Sequence, residues 1–402
     1  MKRKSALIVT LSHVPADGRA LRFAETFGAA GYDVHTAGLA SYAIAPPSND
    51  RIAATMVEVP SMQKPRQLRR LWLAGALATS RLVPPLRRAA YWAMPERAIL
   101  LGRIRAHAQR RGLRFDVVVA KHWSAGPIAM AMAREHGAKL IYDANELGFA
   151  EHEDNKHWQL LAAKHVRAVE ETVVRRADAM TTIGQMIAEE YAREYGLERV
   201  PVVVRNIIDT PPQPYRAPGT PLAFVYVGLA VPQRNLEAVI DSTADWEPGR
   251  KLFLHLTGEP GYIATLRARA ARPETAGRVE FRDPVPAVEL PETLAQYDVG
   301  LIPFTATSRQ KRFAEPNKLY QYVSAGLAVA STPLEQIARH IDEHGFGACA
   351  PGEEPAEIAA LVNGLSADAI ATMKRNSAEA AKTFTWKRES DKLRSVIAEL
   401  EH

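Results

Sequence analysis

Residues 309–333 read R-Q-K-R-F-A-E-P-N-K-L-Y-Q-Y-V-S-A-G-L-A-V-A-S-T-P. Pro316 suits the first turn of a helix, where a missing N–H costs nothing. Leu319, Tyr320, Tyr322 and Val323 then mark one apolar helical face, and Gly326 supplies a left-handed stop. Leu327 to Ala330 follows as a short apolar run, read as a buried strand closed by Thr332-Pro333. The stretch is therefore a helix that feeds a parallel-type strand. Its N-terminus carries Asn317 and Lys318, and unpaired N–H groups beside a lysine suit an anion. An ordinary helix-to-strand connection with a solvated lysine has the same local signature.

Working outward, strand and helix alternate on both sides of this stretch. The first half reads as strands at Ala6–Leu11, Asp33–Gly38, Val57–Val59, Asp116–Ala120, Lys139–Tyr142, Ala179–Ile183 and Val202–Val204. Helices are expected at Arg19–Ala30, Pro127–Glu135 and, as one long amphipathic segment, Trp158–Arg176. Five prolines between Pro211 and Pro221 then make a stiff connector. Alternation restarts at Ala223–Val227 and runs through Val299–Pro303 to the opening stretch. Two successive arrays of this kind predict two doubly wound α/β domains with mostly parallel sheets and a cleft between them. The expected boundaries are 1–208, a linker at 209–221, 222–383, and a C-terminal helix at 384–402 packing back on the first domain.

The bulk properties fit that division. At 402 residues the chain is long for one core, and its 47% apolar and 24% charged residues are ordinary for globular protein. The single cysteine, Cys349, excludes an internal disulfide or a cysteine-rich zinc site and suits a reducing cytoplasm. No apolar run approaches the roughly 18 residues that span a bilayer, and the six-residue run Ala6–Leu11 is too short for a signal-peptide core. The net charge of +6 is unevenly spread: Lys64 to Arg114 holds thirteen Lys/Arg against one acid, Glu96. Leucines and Trp72 and Trp92 are interleaved with them. A basic amphipathic stretch with tryptophans reads as a contact for an anionic membrane surface. Solvated helix faces would look the same, and no nucleic-acid recognition motif accompanies the charge.

The opening stretch, written E-P-N-K-L-Y-Q-Y-V-S-A-G-L-A-V-A-S from Glu315, resembles the donor-binding segment of retaining glycosyltransferases of the GT-B fold. The match is to the family 4 (group 1) enzymes and their P-N-K branch. Asp17-Gly-Arg19-Ala-Leu-Arg22 resembles that family's first loop and helix, and Tyr142-Asp-Ala-Asn-Glu146-Leu its D-x-H-E. Val204-Arg-Asn206 resembles the strand entering its linker, and Gly228-Leu-Ala-Val-Pro-Gln-Arg234-Asn its glycine-rich loop. Asp298-Val-Gly-Leu-Ile-Pro303 and Phe384-Thr-Trp386 continue the likeness over nearly the whole chain. The resemblance implies a nucleotide-diphosphate sugar on the second domain, an acceptor on the first, and transfer with retention.

Site residues follow from the resemblance position by position. Gly228, Arg234, Glu315, Asn317, Lys318 and Gln321 become donor-binding candidates. Lys318 and Arg234 are the natural diphosphate partners, because the charge developing on the leaving group needs fixed cations. Gln321 stands where the family has a ribose-binding glutamate, and Leu229 and Phe313 replace residues that would be charged. Arg309 or Arg312 could then cover the arginine lost at 229. On the first domain, Lys121 falls at the family's sugar-aligning histidine with His122 beside it, and Asn145 replaces the histidine of D-x-H-E. Asp143 and Glu146 are left as acceptor-facing carboxylates. Catalytic candidates are thus His122, Lys121 and Glu146, with no protein nucleophile or general base assigned.

No D-x-D motif is present, so no metal or other cofactor is expected beside the donor. Walker, zinc-protease and hydrolase-elbow motifs are also missing. The implied protein is cytoplasmic and peripheral to the inner membrane face, extending a lipid-linked or glycan acceptor. Transfer to a soluble natural product, or a non-catalytic partner role, is compatible with the same residues.

Overall fold

The computed structural model describes residues 3–40, 55–60, 75, 86–211, 213–286 and 288–401, with backbone alone at 55–60 and 86. The part of the basic stretch at 64–74 and 76–85, with Trp72, lies outside the described residues. The chain divides into two compact units, Met1–Arg205 with Glu389–His402, and Asn206–Arg388.

The first unit is built on β1 (Ser5–Val9), β2 (Asp33–Ala40), β3 (Thr55–Pro60), β4 (Val117–Lys121), β5 (Lys139–Ala144), β6 (Ala179–Thr182) and β7 (Val202–Val203). They pair in the order β3-β2-β1-β4-β5-β6-β7, and every pairing is parallel. β1 and β4 are buried along their whole length, as expected of apolar strands covered on both faces. The order reverses between β1 and β4, which places the loops after these two strands side by side. The helix Gly18–Ala29 starts at Asp17, whose side chain accepts from the Ala20 N–H, and it buries Phe23 and Phe27.

One expected element is broken. Trp158–Arg176 is not a single helix but Lys156–Leu161 followed by Ala163–Val174. The first piece buries nothing, whereas the second seats Val166, Val169 and Val173 in the core. Only the second piece is held by packing, so the axis follows the core from Ala163 onward.

The second unit carries β8 (Leu222–Ala230), β9 (Arg250–Gly258), β10 (Val279–Arg282), β11 (Val299–Ile302), β12 (Ala328–Ser331) and β13 (Gly347–Cys349). Their order is β10-β9-β8-β11-β12-β13, again all parallel. Here the reversal falls between β8 and β11. Phe224, Trp246, Leu254, Tyr322 and Phe346 form the large side chains of its core. Asp298 pins the entry of the sheet: its carboxylate accepts from the Ala223 N–H at 2.9 Å and pairs with buried Lys374 at 3.2 Å.

The helix of the opening stretch runs Asn317–Ser324, with Pro316 as its extended N-cap rather than its first helical residue. The reason is the backbone of Pro316 at ψ 146°, which leaves Asn317 and Lys318 as the first two helical residues. Gly326 takes φ +73°, the left-handed stop that glycine allows without strain. The final helix, Trp386–Glu399, passes into the first unit at Glu389, whose carboxylate accepts from the Arg205 N–H at 2.8 Å.

Candidate functional site

The second unit holds a cavity of about 480 Å³ at the carboxyl ends of β8 and β11, the reversal point of its sheet. Gly228, Arg234, Glu315, Asn317, Lys318 and Gln321, all six donor-side candidates, line it. β8 delivers Gly228 and, through the turn that follows, Arg234; the helix Asn317–Ser324 delivers Lys318 from its first turn. Two aromatic residues that sequence reasoning did not single out, Phe304 and Tyr226, lie against these cations. The Arg234 guanidinium lies 3.8 Å from the centroid of the Phe304 ring. The Lys318 ammonium stands 4.9 Å from the Tyr226 ring centroid and 5.8 Å from that of Phe304. Tyr226 falls within the predicted strand Ala223–Val227 and Phe304 just past Val299–Pro303, and nothing in the sequence said that their faces would meet cations.

Neither cation has a carboxylate partner among the described residues, and the buried Arg234 Nε has no hydrogen-bond partner. Burial, and then the neighbouring Arg234 charge, push the Lys318 ammonium down to about 8. Burial likewise lowers the Arg234 guanidinium, which still stays charged. Two like charges held together against aromatic faces, with no carboxylate paired to either among the described residues, suit an anion. Gly228 makes room for it. At φ +130° the position is one that side chains rarely adopt, and a Cβ there would lie 2.6 Å from Lys318 Nζ.

The other candidates take quieter roles. Glu315 is buried, with Oε1 3.0 Å from His340 Nε2 and Oε2 accepting from the Tyr320 hydroxyl. It does not cap its helix, because the cap position is Pro316. The Asn317 amide oxygen accepts from Asn206 Nδ2 at 3.1 Å. Phe313 is buried in the core and Leu229 is 48% exposed. Arg309 and Arg312 do not line the cavity, and Arg312 sits 3.3 Å from Glu335. His255 closes one wall, donating from Nδ1 to the Asp283 carbonyl at 2.7 Å and accepting the Tyr297 hydroxyl at 2.8 Å.

In the first unit the loops after β1 and β4 meet at the reversal of that sheet. Lys121 is the last residue of β4 and is buried there, its ammonium donating to Asp17 Oδ2 at 2.7 Å. The expectation that Asp143 faces an acceptor is corrected by the structure. Arg19 grips both its oxygens at 2.8 and 2.6 Å, Thr181 donates to Oδ1 at 2.8 Å, and the carboxylate is fully enclosed. A carboxylate with three such donors is structural, and losing one partner of the ion pair would strand a buried charge.

His122, Glu146 and Glu151 do come together, with one ligand atom of each within 4.8 Å of the others. His122 sits at φ +68°, unusual for a residue with a side chain, and its Nδ1 is 2.9 Å from Ser124 Oγ. Its Nε2 lies 3.5 Å from Glu151 Oε2. Burial and then the Glu151 charge raise the Glu146 carboxyl above its ordinary value. Burial would raise Glu151 too, but the His122 and Trp123 contacts outweigh it and bring that carboxyl down. Such a pair of diverging carboxyls can hold and release a proton, and with the imidazole could hold a cation. Glu151 was not anticipated, because it lies four residues beyond the Tyr142–Leu147 motif. What brings it back is a buried post: Glu170 accepts from the Tyr142 hydroxyl at 2.6 Å, the Tyr195 hydroxyl at 3.0 Å and the Phe149 N–H at 2.8 Å. That post fixes the turn between Glu146 and Glu151.

Comparison with known proteins agrees with this division. The model of the glycosyl transferase 4-like domain matches residues 18–206, and that of the glycosyl transferases group 1 matches residues 221–368. A search of curated proteins found no match. Among solved structures, sucrose-phosphate synthase from Thermosynechococcus elongatus superposes with a TM-score of 0.72 at 14% identity, over 99% of each chain. The Anabaena protein HepE in complex with UDP gives 0.69 at 14% identity, over 98% of this chain and 100% of its own. WaaG, a glycosyltransferase of lipopolysaccharide biosynthesis, gives 0.61 at 13% identity, over 96% of this chain and 98% of its own. These likenesses show the GT-B fold of two Rossmann-like domains. With both halves matched by glycosyl transferase models, the chain belongs to the group 1 (family 4) glycosyltransferases and is an enzyme of that family.

Proposed function

We propose that this enzyme moves a sugar, with retention of configuration, from a nucleotide-diphosphate sugar to a lipid-linked or glycan acceptor in surface polysaccharide or glycoconjugate synthesis. The observation that carries the donor half is the pair of cations, Arg234 and Lys318, in one cavity beside Gly228 with no carboxylate partner among the described residues. A diphosphate supplies the missing charge, Arg234 offering a fork and Lys318 a point charge. Gly228 lets the backbone close on the phosphates, and the Gln321 amide accepts a ribose hydroxyl proton without charge assistance. As the glycosidic bond to the diphosphate breaks, the same two cations stabilise the charge that develops on the leaving group.

On the acceptor side, His122 and Glu146 are the groups assigned to sugar alignment and acceptor binding. Lys121 is assigned a supporting place through its pair with Asp17. No metal enters this reading. The basic 64–114 region is assigned to an anionic membrane surface at the cytoplasmic face. No helix among the described residues is long and apolar enough to cross a membrane.

The test is an assay of nucleoside diphosphate release from a panel of sugar donors, supplied with lipid-linked and soluble acceptors. Release with one donor and a lipid-linked acceptor is expected. Donor binding without release under any acceptor would point to a non-catalytic partner. No binding of any donor would sink the reading.

A further inference from the structure

A second cavity, of about 330 Å³, lies on the first unit and has no part in the donor or acceptor groups described above. Its rim carries Arg88, Arg134 and Arg176, three exposed arginines with no ion-pair partner among the described residues. Its walls are apolar, with Met130 and Val169 from the helices Gly126–His136 and Ala163–Val174, and Trp92 39% exposed at the mouth. Trp92 is not loosely placed. Its ring meets Tyr91 edge to face at 4.9 Å, and Tyr91 is fully buried with its hydroxyl donating to the Ser124 carbonyl at 2.6 Å. Arg97 stacks over Tyr91 at 4.2 Å and donates to its carbonyl at 2.8 Å.

Three guanidinium groups around an apolar hollow call for a ligand with an anionic head and an apolar stem. Phosphate is the head that suits forked donors, and an indole at the rim is the side chain that sits at a membrane–water boundary. We infer that this pocket binds the phosphodiester headgroup of an anionic glycerophospholipid, with Trp92 entering the acyl boundary. The pocket would thereby turn a diffuse electrostatic attraction into a seated contact. The inference deepens the membrane-surface part of the proposed function and is independent of the donor cavity. Behind Trp92, Tyr91 reaches the Ser124 carbonyl, two residues from His122 on the acceptor-side loop.

The test is co-sedimentation of the full chain with vesicles of phosphatidylcholine alone or mixed with phosphatidylglycerol. Two variants remove and reverse the same charge, Arg134→Glu with Arg176→Glu in the pocket, and Arg110→Glu with Arg111→Glu outside it. Binding to the mixed vesicles is expected to fall about tenfold or more in the pocket variant, given roughly 1 kcal/mol for each basic residue at an anionic surface, and clearly less in the outer one. Calorimetry should show dihexanoyl phosphatidylglycerol, but not inorganic phosphate, binding to the wild type, with Trp92→Ala weakening it. Equal losses in both variants would reduce the effect to overall charge and overturn the pocket. Equal binding of inorganic phosphate would make it an adventitious ion only. Failure of the wild type to bind any anionic vesicle would overturn it as well. Nucleotide-sugar affinity, measured on every variant, should stay unchanged; it reports folding and separates this outcome from failure of the donor site.

Discussion

Lys318 shows how much a single side chain owes to what surrounds it. A lysine near a helix start is unremarkable in sequence, and only burial beside Arg234 makes it a group that titrates at about 8. The folded value lies below the ordinary one, so the charged form is disfavoured in the folded chain. Folding stability should therefore rise as pH increases from about 8 toward about 10.4, the ordinary lysine value. A bound diphosphate favours the charged form and has the opposite effect on affinity. Below pH 8 the affinity for a nucleotide sugar should be flat, and above it the Kd should rise by up to about tenfold per pH unit. The phosphates of a nucleotide sugar keep a constant charge across this range, so the profile reports the protein. Titration calorimetry from pH 6.5 to 9.5 checks it, and a flat profile would remove Lys318 from the phosphates. Asp143 gives the contrasting case. Arg19→Ala should destabilise the first unit by about 3–5 kcal/mol, read by thermal or denaturant unfolding, because it strands a buried carboxylate.

At the scale of elements, the turn after β8 is the part most sensitive to shape. Gly228→Ala places a methyl group 2.6 Å from Lys318 Nζ at a backbone angle of φ +130°. The backbone strain alone should cost about 1–3 kcal/mol, and the displaced ammonium should weaken nucleotide-sugar binding beyond that loss. A lowered melting temperature with undiminished binding would contradict the role given to this glycine. The same turn shows what the sequence could and could not disclose. Alternation of apolar strands with helices made both sheets legible, because period and β-branching follow directly from burial on two faces. Gly326 was legible as a stop because few other residues take its conformation. The aromatic pair against the cations was not, since Tyr226 and Phe304 look like any other core residue until their ring faces are placed. Glu151 was not either, because the buried Glu170 carboxylate, held by the Tyr142 and Tyr195 hydroxyls, fixes the turn that folds it back beside His122. Asp143 misled for the reason that made it noticeable: an acidic residue at a strand end can face a ligand or bury an ion pair, and the partner Arg19 is 124 positions away.

At the scale of the molecule, the chain returns to its first unit at its end. The Tyr32 hydroxyl donates to Glu401 at 2.7 Å, Lys4 pairs with the same carboxylate at 2.9 Å, and Glu389 holds the Arg205 N–H. Removing residues 389–402 should therefore lower the unfolding transition of the first unit and leave that of the second nearly unmoved, which differential scanning calorimetry can resolve. Donor binding should survive the truncation, because every residue assigned to it lies within Asn206–Arg388. The most direct test of the donor assignment is the Kd of the tightest-binding nucleotide sugar for the full chain and for Lys318→Met and Arg234→Met. Each variant is predicted to lose about 1.5–3 kcal/mol of binding, roughly 10- to 150-fold, with its melting temperature held or raised. Wild-type affinity in both variants would contradict the assignment of this cavity to the donor diphosphate.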